Sequence, residues 1–190
     1  MNIIKKILYP LISLFLLYRS IELMRHLYYS DPIDFRFGES VLIAFLITLF
    51  ATGIFAFAGF AFPTSRLMPK NYWLPKNPNQ LNSLFSIMGV NTYKSILVLL
   101  FWGRASNKKK YYNGTRKGLE DFNFQTKQSE FGHLCAFVII LFASLLLLIK
   151  GYYLLVFIMT VINIIANLYP IILQRHHRIR IYRLAEHVKP

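Results

Sequence analysis

Between Ser40 and Phe62 the chain runs for 23 residues without an acidic or basic side chain. About 20 helical residues cross a hydrocarbon core of ~30 Å, and a helix crosses it with its own N–H and C=O groups paired. The segment therefore predicts a transmembrane helix. The composition extends that reading to the rest of the chain, since 55% of its 190 residues are hydrophobic and only 16% are charged, too apolar for an ordinary soluble domain. The expected fold class is all-α: a polytopic membrane helix bundle of about four transmembrane helices, with an interfacial or re-entrant segment between the second and third. No internal repeat, low-complexity tract or interdomain linker is visible, so residues 1–190 are read as a single integral membrane domain.

Two further spans form an apolar hairpin, Phe131 to Ile149 and Tyr152 to Leu173, closed by the charged and conformationally permissive pair Lys150-Gly151. The first segment, residues 7–27, is less regular, because Arg19, Glu22 and Arg25 follow its apolar part. No small-residue cleavage site follows Tyr18, which points to a retained, partly polar transmembrane or interfacial helix rather than a signal peptide. The basic residues favour full spanning. Lys5 and Lys6 precede this segment, the linker to the second span holds Asp31, Asp34 and Glu39 against Arg36 alone, and bases return in the segment 63–128 and in the tail. With four spans all basic regions fall on one side, which predicts a multi-pass protein of the cytoplasmic membrane with both termini cytoplasmic.

The net charge of +14 raises nucleic acid as a partner, since Lys and Arg clusters neutralise phosphates. In a membrane protein the same bias sets topology and attracts anionic headgroups, so membrane lipids are the expected partners and nucleic acid is not. Cys135 is the single cysteine and falls inside a span, so the chain forms no internal disulfide. Asn113-Gly-Thr115 matches a glycosylation sequon on the side where glycosylation does not occur, and is read as chance.

The segment 63–128 is not plainly soluble. Its start mixes Pro63, Pro69 and Pro75 with Tyr72, Trp73 and bases, which suits headgroup depth, and Ser95 to Trp102 is apolar but too short to span. Residues 107–114 read as a solvated basic turn and residues 117–127 as a short surface helix. In the second span, Ala51, Gly53, Ala56, Ala58, Gly59 and Ala61 form a small-residue strip that permits close helix approach.

The polar residues of the hairpin are the candidates for chemistry, because such groups are expensive to hold in or beside a bilayer. Glu130 and His133 stand at i and i+3, on one face of a helix that starts at or before Ser129. A carboxylate beside an imidazole fixes its tautomer and raises its basicity, as a general base needs. The competing reading makes Ser129 and Glu130 a helix cap and His133 an interface residue. Asn163 and Asn167 share a face, and Gln174, seven beyond Asn167, points nearly the same way; interhelical hydrogen bonding explains this stripe as well as a binding role does. Pro170 removes one helix hydrogen bond and leaves a carbonyl near the stripe unsatisfied. Arg175, Arg178 and Arg180 match phosphate geometry, or serve as a plain positive-inside anchor.

No metal site is expected. Glu-x-x-His occurs once where di-iron bundles need it twice, and His176 and His177 are adjacent and diverge on a helix. Walker, dinucleotide and Gly-x-Ser-x-Gly motifs do not occur.

Glu130-x-x-His133 at the head of the hairpin, followed by Asn167 and Gln174-Arg175-x-x-Arg178-x-Arg180, resembles the small membrane acyltransferases that include glycosyl-4,4'-diaponeurosporenoate acyltransferase. The likeness covers about the last 65 residues well and the earlier half only in layout. It departs from the family's pattern at His177, where Asn is expected, and in a proline one residue nearer the Asn than Pro170 is to Asn167. The family esterifies a sugar hydroxyl of a glycosylated carotenoid, so the resemblance implies a membrane acyltransferase of lipid metabolism. The expected reaction moves a fatty acyl group from a thioester donor, a co-substrate rather than a resident cofactor, to a hydroxyl of a lipid or glycolipid. His133 would deprotonate the acceptor and Glu130 would orient His133. Asn167 and Gln174 would stabilise the oxyanion or position the acceptor, and Arg175, Arg178 and Arg180 would hold donor phosphates. The alternative is a non-catalytic small subunit or scaffold that binds anionic lipid or a larger membrane-protein partner.

Overall fold

The computed structural model describes residues 3–32, 36–99 and 115–187. Asp34, the basic cluster from Arg104 to Lys110 and the sequon residue Asn113 lie outside the described residues. The fold is all-α, with no strand among the described residues. Helix α1 spans Ile3–Tyr29 and α2 Phe37–Ala61; two 3-10 turns follow, Thr64–Leu67 and Lys70–Trp73. Then come α3 (Pro78–Ile87), α4 (Val90–Leu97), α5 (Arg116–Ile149) and α6 (Tyr153–Asn163). A π-helical turn over Ile164–Leu168 leads into α7 (Tyr169–His187). Among the described residues four helical runs are long and apolar enough to cross a membrane: Ile3–Tyr29, Phe37–Ala61, Arg116–Ile149 and Tyr153–Leu184. The protein is a polytopic membrane protein.

Two compact units share the chain, the first built from residues 1–65 and 131–168, the second from 66–130 and 169–190. In the first, α2 packs against α1 and α6. The buried face of α2 is Ser40, Ala44, Ile47, Thr48 and Ala51, a stripe at helical spacing. It differs from the small-residue strip expected further along, of which only Ala51 is buried. In a helix that is apolar all round, hydrophobicity carries no information about which side meets protein and which meets lipid. The core of the unit adds Leu27, Ile140, Leu147, Tyr152, Leu155 and Met159.

Helix α1 handles its polar groups locally. Arg19 and Glu22 pair with each other one turn apart, and the Ser13 hydroxyl donates to the Ile54 carbonyl of α2 at 2.9 Å. The turn after α5 is a Schellman motif: Gly151 takes φ 89°, its N–H donates to Leu148 O at 3.0 Å, and the Tyr152 N–H donates to Leu147 O at 3.0 Å. Tyr152 then buries its ring and donates its hydroxyl to the Leu27 and Ser30 carbonyls, at 2.7 and 3.0 Å, at the end of α1.

At Gly53 the α1 side chain of Leu16 packs directly on the backbone of α2, because a Cβ built there would stand 2.6 Å from Leu16 Cδ1. Gly53→Ala must turn the Leu16 side chain, a cost of about 1 kcal/mol at the low end of overpacking that cancels the similar gain of alanine over glycine in a helix interior. Thermal unfolding of the purified protein in detergent would show it: a midpoint raised by the full glycine-to-alanine gain would mean that α1 does not lie this close to α2.

Helix α5 corrects the expected layout. A surface helix over 117–127 and a separate span from Phe131 were expected, but a single helix runs from Arg116 to Ile149. No proline interrupts this stretch, and its real N-cap is Thr115, whose Oγ1 accepts the Gly118 N–H at 3.0 Å. Ser129 and Glu130 are thus in a helix interior, which removes the capping explanation for them.

In the second unit, α3 and α4 pack on each other and on α7. Phe85, Val90, Ile172, Ile179 and Ile181 are buried there with Trp73. The Tyr169 hydroxyl donates to Met88 O at 3.1 Å, and its ring lies 5.0 Å from that of Tyr93.

Candidate functional site

The polar residues of the hairpin fall into two clusters, one in each unit. In the first unit, Asn163 ends α6 and is 1% exposed, and Asn167 sits in the π turn and is 0% exposed. The Asn163 amide Nδ2 donates to the Phe137 carbonyl of α5 at 3.1 Å, which leaves Asn163 Oδ1 as an acceptor. Asn167 Nδ2 donates to that oxygen at 3.0 Å. Asn167 Oδ1 must therefore accept, and it receives the Thr52 hydroxyl of α2 at 3.0 Å and His133 Nδ1 of α5 at 3.0 Å. The chain of donors and acceptors has one consistent direction, and it puts the proton of neutral His133 on Nδ1. Nε2 is then the basic nitrogen.

Pro170 explains the π turn. In an α-helix the N–H of position 170 would close on the Ala166 carbonyl; proline has none, and the turn before it widens. The Ala166 carbonyl, where the missing N–H leaves acceptor capacity, stands close enough to act on the His133 imidazole. The expected unsatisfied carbonyl near the polar stripe is thus part of the histidine's seat. The π turn also breaks the 3.6-residue register on which the alignment of Gln174 with Asn167 depends.

The second cluster is built around Glu130, which is 0% exposed. Its Oε1 accepts Arg175 Nε at 2.8 Å and the Tyr72 hydroxyl at 2.9 Å, and its Oε2 accepts Arg178 Nη2. Arg175 Nη2 donates to the Tyr72 oxygen at 2.6 Å. Burial first, and then the Glu130 charge, push the Tyr72 phenol above its ordinary pKa, so it stays protonated and donates to the carboxylate. The Arg175 guanidinium lies 5.0 Å from the Tyr72 ring centroid and that of Arg178 lies 5.1 Å from Trp73, within cation–π range. A buried carboxylate is tolerable because two guanidiniums and a phenol satisfy it.

The expected pairings are therefore re-sorted. Glu130 was expected to orient His133; both its oxygens serve Arg175, Arg178 and Tyr72, and the imidazole is oriented by Asn167. Arg175 and Arg178 come together, while Arg180 is exposed and its charge acts on Lys94. Gln174 is half-buried, without a side-chain hydrogen bond to the described residues. Thr52, Tyr72 and Trp73 were missed as site residues. Thr52 sits in an uncharged span where a hydroxyl gives no periodic signal, and Tyr72-Trp73 reads as an interfacial aromatic pair. No group of three or more His, Cys, Asp or Glu side chains gathers as a metal site among the described residues.

Thr52→Val keeps the shape of the side chain and removes its hydrogen bond to Asn167. It is expected to cost about 1 kcal/mol of stability, read as a lowered thermal midpoint that Thr52→Ser restores. Equal midpoints for Val and wild type would show that this hydroxyl does not hold the network.

Fold and clusters together define a polytopic α-helical membrane protein that keeps a tautomer-fixed histidine and a buried arginine–carboxylate pair among apolar helices. Residues 69–187 match the family model described as glycosyl-4,4'-diaponeurosporenoate acyltransferase, and the chain belongs to that family. No curated protein and no solved structure matches the chain. The family match takes in His133, Asn163, Asn167, Glu130, Tyr72 and both paired arginines, and leaves Thr52 outside.

Proposed function

We propose that the protein is an acyltransferase of the cytoplasmic membrane, both termini on the cytoplasmic side, that moves a fatty acyl group from a thioester to a hydroxyl of a lipid or glycolipid. A carotenoid glycoside is the acceptor class suggested by the family description. The single observation that carries this reading is the amide relay from Phe137 through Asn163 and Asn167, which leaves His133 with a basic Nε2. His133 Nε2 takes the acceptor hydroxyl proton as the oxygen attacks the thioester carbonyl. The tetrahedral intermediate then expels the thiolate, which recovers that proton from the imidazolium, and an ester and a free thiol leave. Asn167, whose oxygen accepts from Thr52 and His133 while its Nδ2 donates to Asn163, is a positioning residue for the imidazole rather than an oxyanion donor. Gln174 is the remaining candidate to bind the acceptor or the oxyanion. Arg175 and Arg178 are the candidates for donor phosphates.

Mass spectrometry of total membrane lipids, with and without the expressed chain and with a glycosylated carotenoid supplied, tests the proposal. New fatty acyl esters that depend on the chain support it. An unchanged lipid profile with the protein correctly inserted would favour the non-catalytic subunit instead.

A further inference from the structure

A cleft of about 440 Å³ opens in the second unit, between the stretch Pro69–Lys76 and α7, and its lining includes Tyr72, Trp73, Lys76, Arg175 and Arg178. Its walls carry three cations and no carboxylate. Glu130 behind them is fully buried and is the only carboxylate paired with the arginines among the described residues, so the group keeps a net charge of +2. The Arg178 side chain is 3% exposed, and its Nη1 is buried without a hydrogen-bond partner among the described residues. A buried charged N–H without an acceptor is costly, and because Arg178 lines the cleft an anion settling against that wall can supply one. Glu130 and the Trp73 ring meanwhile fix the guanidinium plane, so little side-chain freedom is left to lose on binding.

We propose that this cleft binds a phosphate monoester, whose two negative charges match the +2 of the wall, with Arg178 as the fixed donor, Lys76 as the mobile one, and Glu130 as the internal counter-ion that holds the arginines in place. A carboxylate or a phosphodiester brings one charge only. The site stands on its own geometry and depends on the proposed function solely for calling its ligand the acyl donor. Two sources carry the same chemistry, the nucleotide end of a coenzyme A thioester and a phosphatidic-acid headgroup.

The test uses the full chain in phosphatidylcholine nanodiscs, titrated with 3',5'-adenosine diphosphate, and in nanodiscs containing phosphatidic acid, with retained lipid read by native mass spectrometry. Lys76 is exposed, so Lys76→Ala leaves the fold intact, and thermal midpoints verify this. Saturable nucleotide binding that weakens about tenfold or more in Lys76→Ala, the scale of a charge-assisted contact, supports a soluble donor. Selective retention of phosphatidic acid lost in the same variant supports the lipid source. In either case binding should weaken as pH falls through about 6, where a phosphate monoester takes up its second proton. Binding of neither probe, or binding indifferent to Lys76→Ala, overturns the site. Absence of probe binding to the wild-type chain with ester formation intact would remove this site alone; probe binding with no ester formation would remove only the acyltransferase reading.

Discussion

His133→Ala is expected to lower acyl transfer by about 10²–10⁴-fold, the usual worth of a positioned general base, with membrane insertion unchanged. The physical reason is the one-way hydrogen-bond chain. Asn163 is fixed by a backbone carbonyl, Asn167 by Asn163, and His133 by Asn167. The ring then has one tautomer and no rotational search before each proton transfer. His133→Gln separates catalysis from packing, because a glutamine amide can still donate to Asn167 Oδ1 but cannot take a proton from an alcohol. If Ala and Gln both abolish ester formation while the Gln variant melts close to wild type, His133 is the base. If Gln retains activity, the residue is a structural tie and the general-base mechanism fails. The wild-type rate should also fall toward low pH, because protonation removes the Nε2 lone pair that accepts the hydroxyl proton.

Glu130→Ala carries the largest expected effect on stability. Removal of one partner from a buried ion pair costs about 3–5 kcal/mol, chiefly because the other charge stays buried and uncompensated. Arg178, almost wholly inside and already carrying one unpartnered nitrogen, is the group left behind. Arg175 is 40% exposed and can turn to water, so Arg178 dominates the loss. The double variant Glu130→Leu/Arg178→Met should recover much of the loss, since an apolar replacement of the whole pair removes both desolvation costs. Thermal unfolding in detergent decides the matter: a single variant that melts like wild type, or a double variant no better than the single, would show that this pair does not hold the second unit together. Ligand binding at the cleft is expected to weaken in the double variant even where the fold is restored, because the fixed donor Arg178 and the counter-ion that holds Arg175 are gone although the net charge stays at +2.

Much of this is legible in the sequence. The uncharged run from Ser40 to Phe62 could only be a span, and Lys150-Gly151 could only be a turn between helices, which the Schellman geometry at Gly151 bears out. The proline effect was also readable, since a missing N–H has a defined address four residues back, at Ala166. Partner choice was not readable. The i, i+3 spacing of Glu130 and His133 says that two side chains leave a helix on the same side, and it is silent about stronger partners brought from elsewhere in the chain. A buried carboxylate goes where cations can neutralise it, and two guanidiniums and a phenol outbid a neutral imidazole.

The sequence by itself determined that this chain crosses a membrane as helices, because burying an unpaired backbone in hydrocarbon costs several kcal/mol per group and no other arrangement of so apolar a chain avoids it. It also determined which polar residues must find partners, since each is too costly to leave alone in an apolar setting. Tertiary structure alone decided how those residues are shared out: His133 and Thr52 to Asn167, Glu130 to Arg175, Arg178 and Tyr72. Hydrogen bonds and ion pairs act over about 3 Å, and which groups stand within that reach is set by helix packing between residues far apart in the chain, 115 positions in the case of Thr52 and Asn167.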